Sequence, residues 1–93
     1  MLTTNEYFDG NVKSIALKNG ELPATVGVMD VGEYSFGTSE KETMTVVSGE
    51  LVVKLPDQDE WKSFTDGASF IVEANKSFDL KVGVQTAYLC VYG

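Results

Sequence analysis

Short runs of strand-forming residues, broken by turn signals at intervals of roughly 8–12 residues, constrain this chain more than any other feature. Val12 to Lys18 closes on Asn19-Gly20, and Ala24 to Met29 follows Pro23. Gly32 to Phe36 alternates aromatic with small or polar residues. Thr43 to Val47 and Leu51 to Leu55 flank Ser48-Gly49, Trp61 to Phe64 leads into Asp66-Gly67, and Pro56-Asp57-Gln58-Asp59 makes a polar turn cluster. Ser48-Gly49 and Asp66-Gly67 both read as tight hairpin turns. Phe70 to Val72, Phe78 to Val82 and Ala87 to Tyr92 complete the set. No stretch sustains a 3.6-residue period, and Glu40 to Met44 offers one helical turn at most. The expectation is an all-β chain, one domain over residues 1–93, built as a short antiparallel barrel that hides its strand edges.

What such a barrel can do is narrowed by what the chain lacks. It has 14 acidic against 7 basic residues, a net charge of -7, and every basic residue is lysine. That balance argues against nucleic acid or an anionic membrane as partner. Without arginine there is no bidentate fork for phosphate or carboxylate. Without histidine there is no Ser-His-Asp triad, no Cys-His pair and no imidazole metal site. The one cysteine, Cys90, rules out an intrachain disulfide and a multi-cysteine zinc site. No basic-then-apolar leader and no apolar run near ~18 residues is present, so a soluble protein of the reducing cytoplasm is expected.

Glu42 and Gly49, with six residues between them, resemble the second half of the first cupin motif. The His-x-His pair that precedes this glutamate in metal-binding cupins is replaced by residues of Ser35-Phe36-Gly37-Thr38. The second motif keeps its opening Gly67, but Glu73-Ala74-Asn75 stands for Pro-x-Gly and Phe78 for the last histidine. The resemblance implies a jelly-roll barrel with Glu42 pointing inward and no metal. Read from the residues, Glu42 is either a holder of ligand hydroxyls or a solvated carboxylate at a strand end. Tyr34, Phe36 and Thr38 share one face of a strand by alternation. Phe36 and Phe78 either stack on a planar ligand ring or simply fill the core. Tyr88, Cys90 and Tyr92 alternate on the last strand, with this face expected inward. Thr38-Ser39-Glu40-Lys41 either offers two hydroxyls and one ammonium to an anion, against the adverse charge of Glu40 and Glu42, or is a charged surface turn.

Several segments together carry a closer likeness. Asn5-Glu6-Tyr7-Phe8 with Gly10, Gly32-Glu33-Tyr34-Ser35-Phe36, Glu42-Thr43-Met44-Thr45-Val46, Leu55-Pro56-Asp57, Trp61 and Tyr88-Leu89-Cys90 resemble the small bacterial pyrimidine/purine nucleoside phosphorylases along essentially the whole chain. Glu73-Ala74-Asn75 departs from the Pro-Gly expected there. The resemblance implies phosphorolysis of many nucleosides to free base and ribose 1-phosphate, the reverse synthesis, no cofactor, and a homodimer. The partners would be nucleosides and inorganic phosphate. On that reading Glu42 is the catalytic group, and Tyr34, Phe36, Thr38, Phe78 and Tyr88 bind substrate. The rival is a metal-free cupin that holds a small aromatic ligand without turnover. A structural interaction barrel would need a large exposed apolar face, which the sequence does not display.

Overall fold

The computed structural model describes all residues, Met1 to Gly93. Ten strands follow in order: β1 Thr4–Tyr7, β2 Val12–Asn19, β3 Leu22–Met29, β4 Gly32–Gly37, β5 Glu42–Ser48, β6 Glu50–Lys54, β7 Trp61–Thr65, β8 Ser69–Val72, β9 Ser77–Val82 and β10 Thr86–Tyr92. The only helical turn is the three-residue Phe8–Gly10. No helix is long and apolar enough to cross a membrane.

Alternation explains the strands. In β9, Phe78, Leu80 and Val82 are buried while Ser77 and Lys81 face solvent. In β10 the buried residues are Thr86, Tyr88 and Cys90. Two-residue periodicity of this kind gives each strand one wet and one dry face. The dry faces of both sheets supply one core, with Val12, Met29, Met44, Val46 and Tyr88 from one side and Leu51, Val53, Phe78 and Leu80 from the other. Each such large apolar side chain contributes about 1.5–3 kcal/mol on burial.

The strands form a six-stranded sheet, β1-β2-β3-β10-β5-β8, and a four-stranded sheet, β4-β9-β6-β7. All pairings are antiparallel, as the sequence led us to expect. The chain crosses between sheets at nearly every step from β3 onward, which is a jelly roll. The sheets are not hydrogen-bonded into a closed barrel.

The crossing corrects two turn assignments. Ser48-Gly49 joins β5 to β6 and Asp66-Gly67 joins β7 to β8, and each pair of strands lies in different sheets. Both are corners, not hairpins. The corners meet, since the Gly49 N–H donates to Asp66 Oδ1 at 2.7 Å and the Gly67 N–H to the Val46 carbonyl at 2.7 Å. True hairpins occur at Gly20-Glu21, where Asn19 pairs with Leu22, and over Pro56–Asp59 between β6 and β7. The departure at Glu73-Ala74-Asn75 also resolves. Asn75 takes φ 61 where the motif has glycine, a left-handed position asparagine tolerates better than most residues.

Candidate functional site

A cavity of about 210 Å³ lies between the two sheets. The six-stranded sheet supplies Met29 from β3, Glu42 and Met44 from β5, and Tyr88, Cys90 and Tyr92 from β10. The other sheet supplies Phe36 and Gly37 from β4 and Phe78 from β9, and Tyr7 comes from the end of β1. It is smaller than the roughly 300–1,000 Å³ of pockets that enclose a drug-sized ligand, so it suits a compact one. A larger groove of about 520 Å³ crosses the outer face of the six-stranded sheet near Ile15, Val26 and Val28. Its polar side chains are spent on one another, Asn5 on Ser14 and Lys13 on Glu6, and the inter-sheet cavity, with a half-buried carboxylate among aromatic rings, is the better candidate.

Glu42 is the only charged side chain in the cavity wall. It opens β5 and pairs in register with Tyr92. Its carboxylate Oε1 accepts from the Cys90 thiol at 3.5 Å. Burial raises its carboxyl above the ordinary range, and the bond from Cys90 pulls it partly back. The Cys90 thiol is pushed up to about 12, by burial first and then by the charge of Glu42, so it stays protonated and donates. Burial likewise pushes the Tyr88 phenol up to about 12. Tyr92 is raised too, again mainly by burial, while its hydroxyl shares a 3.1 Å hydrogen bond with Thr25 Oγ1. The floor is therefore a set of neutral hydroxyl and thiol groups around one carboxylate.

Tyr88 owes its position to a missing side chain. It pairs in register with Gly27, and a Cβ there would meet the Tyr88 hydroxyl oxygen at 2.6 Å. The phenol crosses the space that any other residue at 27 would fill.

The opposite wall is aromatic. Phe36 stacks on Phe78 with ring centroids 5.9 Å apart and an interplanar angle of 26°. Tyr7 and Phe8 meet Phe36 edge-on, at 6.3 and 5.4 Å. Such pairs add about 0.5–1.5 kcal/mol beyond their buried area.

Of the residues singled out in sequence, Glu42, Phe36, Phe78 and Tyr88 share this cavity. Tyr34 and Thr38 do not line it. Tyr34 is buried beside it, its ring 6.4 Å from Phe36, and its hydroxyl donates to the Asp30 carbonyl at 2.7 Å. Thr38 is buried in the β4–β5 connection, where its hydroxyl donates to the Glu73 carbonyl at 2.7 Å and accepts the Lys76 N–H at 3.0 Å. That hydroxyl fastens two loops together. Tyr7, Met29 and Met44 were not anticipated as lining. Alternation with the buried Val46 gives Met44 away, whereas Tyr7 faces the cavity because the end of β1 pairs with the buried Val12, a long-range register that no local pattern encodes.

Glu42 and Cys90 are the only carboxylate and thiol in the wall, two donors where a catalytic zinc site uses three protein ligands. No group of three or more cysteine, aspartate or glutamate side chains assembles elsewhere.

Fold and cavity together define a small cupin-type jelly roll with an aromatic, single-carboxylate pocket. Residues 2–92 match the pyrimidine/purine nucleoside phosphorylase family, and the chain belongs to that family. A pyrimidine/purine nucleoside phosphorylase of Saccharophagus degradans is 67% identical over 92 residues, covering 99% of this chain and 98% of the relative. One from Magnetococcus marinus is 66% identical over 93 residues and covers all of both chains. Among solved structures, a Vibrio parahaemolyticus protein of unknown function superposes with a TM-score of 0.96 at 47% identity, over 100% of this chain and 99% of that one. An RmlC-like cupin from Shewanella frigidimarina superposes with a TM-score of 0.76 at 26% identity, over 94% of this chain and 79% of that one.

Proposed function

We propose that residues 1–93 act as one cupin-like domain and as a nucleoside phosphorylase of broad specificity. It takes purine and pyrimidine nucleosides with inorganic phosphate to free base and ribose 1-phosphate, reversibly, which makes it a pentosyltransferase. The observation that carries this reading is the single carboxylate facing an aromatic wall across the inter-sheet cavity. In the reaction the C1′–N bond breaks with its electron pair on the base, a phosphate oxygen bonds to C1′, and the proton carried by the phosphate passes to the base nitrogen. Positive charge builds on the ribose on the way, as in glycoside hydrolysis. The Glu42 carboxylate accepts hydrogen bonds from ribose hydroxyls and stabilises that charge. The aromatic wall holds the base. Breadth follows because stacking needs no matched hydrogen-bond edge.

Phosphate has no lysine in the cavity wall to meet it. We assign it to backbone N–H groups and a hydroxyl at the mouth, such as that of Ser39, with the Thr38 hydroxyl already committed to Glu73 and Lys76. The free, buried thiol of Cys90 fits the reducing cytoplasm, where we place the protein.

The partner we propose is a second copy. Ile15, Val26 and Leu89 lie abreast in one register row on the outer face of the six-stranded sheet, with Val28 and Val91 in the rows beside them. Val26 and Val28 are 44% and 49% exposed. Beside Val28 in its row stand Lys13 and Glu6, which neutralise one another in an ion pair of 3.5 Å. Large contiguous apolar patches of this kind mark interaction sites, and an isologous contact covers the same patch on both subunits.

Incubation of purified protein with uridine and phosphate, followed by a uracil assay, tests the enzyme. Phosphate-dependent release of uracil is expected. Nucleoside binding without release would leave the ring-binding cupin as the function.

A further inference from the structure

The turn that ends β1 is built against the usual preferences of the backbone. Phe8, Asp9 and Gly10 take φ values of 52, 58 and 87 in succession. A bulky aromatic residue rarely adopts the left-handed region, and strain of this kind persists only where surrounding contacts impose it. Here the Phe8 ring lies 5.0 Å from Tyr34 and 5.4 Å from Phe36. The Asn11 N–H closes the turn on the Phe8 carbonyl at 3.1 Å.

The turn has a geometric result. In an extended strand, neighbouring side chains point to opposite faces. Tyr7 and Phe8 are neighbours, yet both rings meet Phe36 edge-on. Phe8 lies against Tyr34 and Phe36 with 42% of its surface exposed, and Tyr7 stands in the cavity wall with 43% exposed. Register places Tyr7 far from the carboxylate. Tyr7, Val12, Met29 and Thr86 form one row across the sheet, whereas Glu42 pairs with Tyr92, six residues further along β10. The backbones of Tyr7 and Glu42 thus enter the one cavity wall from rows six residues apart, and Tyr88 lies between them.

We propose that Tyr7, turned inward by its pairing with the buried Val12, contacts the substrate at the nucleobase end of the cavity, and that the left-handed turn Phe8–Gly10 supports it by folding Phe8 back onto the same Phe36 ring. This rests on the phosphorylase reading, with Glu42 at the ribose. A purine extends further from the ribose than a pyrimidine, so purine nucleosides depend on Tyr7 more. The bond that breaks lies away from Tyr7, so the residue governs binding and not the chemical step.

The test is steady-state phosphorolysis of inosine and uridine by wild type, Tyr7→Ala, Tyr7→Phe and Gly10→Ala, with thermal melting alongside. Tyr7→Ala is expected to raise the KM for inosine about tenfold, within the range for loss of one base–aromatic contact. The rise for uridine is expected to be smaller, with kcat kept within about twofold. Tyr7→Phe keeps the ring and should stay near wild type. Gly10→Ala has room for its Cβ, 3.5 Å from Lys13 Cε, but disfavours φ +87. It should raise the inosine KM with Tyr7 intact. Equal KM changes for both nucleosides, or none, in a folded Tyr7→Ala variant would overturn the proposal. If wild type shows no phosphorolysis, the enzyme reading fails and calorimetric binding of the same two nucleosides decides on Tyr7 by the same ratio. Should Tyr7→Ala melt below the assay temperature, Tyr7→Leu replaces it, under the same criteria.

Discussion

Glu42 combines a charge with partial burial, and the two pull against each other. Its carboxyl is raised by desolvation, so its folded value lies above the unfolded 4.5. An ionised Glu42 therefore costs stability at any pH above the folded value, and this cost fades as the pH falls through that value. Glu42→Gln removes the cost. We expect the variant to melt at or above wild type near pH 8, with the gap closing toward about pH 4.5. The same substitution should cut turnover roughly 10²–10³-fold, the usual loss for one pre-organised electrostatic group. Uracil release and melting curves over that pH span check both. Wild-type turnover should fall as acid neutralises the carboxylate. Alternation and the cupin spacing pointed Phe36, Phe78 and Tyr88 inward and left Glu42 between a holder of ligand hydroxyls and a solvated carboxylate; the structure sets all four on the cavity. These sequence signals could not separate Phe36 from Tyr34, which share a face, because the difference lies in which ring the neighbouring sheet and the β1 turn cover. Nor could they mark Gly27 among nine glycines, since its role is visible only once Tyr88 lies across it.

Corners rather than hairpins hold the two sheets in place. Gly49 has φ +115, and a Cβ there would meet Thr86 Oγ1 at 2.5 Å and the Gln85 carbonyl at 3.0 Å. Thr86 is fully buried, and its hydroxyl accepts the Glu50 N–H at 3.1 Å while donating to the Val84 carbonyl at 2.9 Å. Thr86→Val keeps the shape but removes the acceptor of the Glu50 N–H, at about 0.5–1.5 kcal/mol. In a domain of this size each kcal/mol lowers Tm by about 4–8 °C. Gly49→Ala should cost at least as much, and chemical denaturation of both variants measures it. The turn dipeptides announced where the chain bends. They did not announce whether the next strand returns beside the last or crosses to the facing sheet, because Ser-Gly and Asp-Gly satisfy the backbone of either. The strand partners are fixed by long-range burial, which a local signal does not carry.

Across the whole molecule, negative charge and an apolar flank oppose one another. With a net charge of -7, two copies repel unless the outer face of the six-stranded sheet joins them. Val26→Lys, set in the middle of that face, should shift the protein to monomer in analytical ultracentrifugation, with little change in melting when dilute. The same charge repels phosphate at long range, an effect screened beyond ~8–10 Å at physiological ionic strength. Sodium chloride should then leave the phosphate KM level or slightly lower it. A steep rise would mean a lysine cluster, completed by the second subunit, and not a backbone site. The two sheets share no hydrogen-bonded strand, so between the corners that join them the gap is set by packed side chains. Its width is thus a tunable dimension, adjustable by one methylene at a time from core positions such as Val12 or Leu80 without touching a strand pairing. The range of bases such a protein accepts then becomes a mechanical property of its sandwich, open to selection at sites that never meet a substrate.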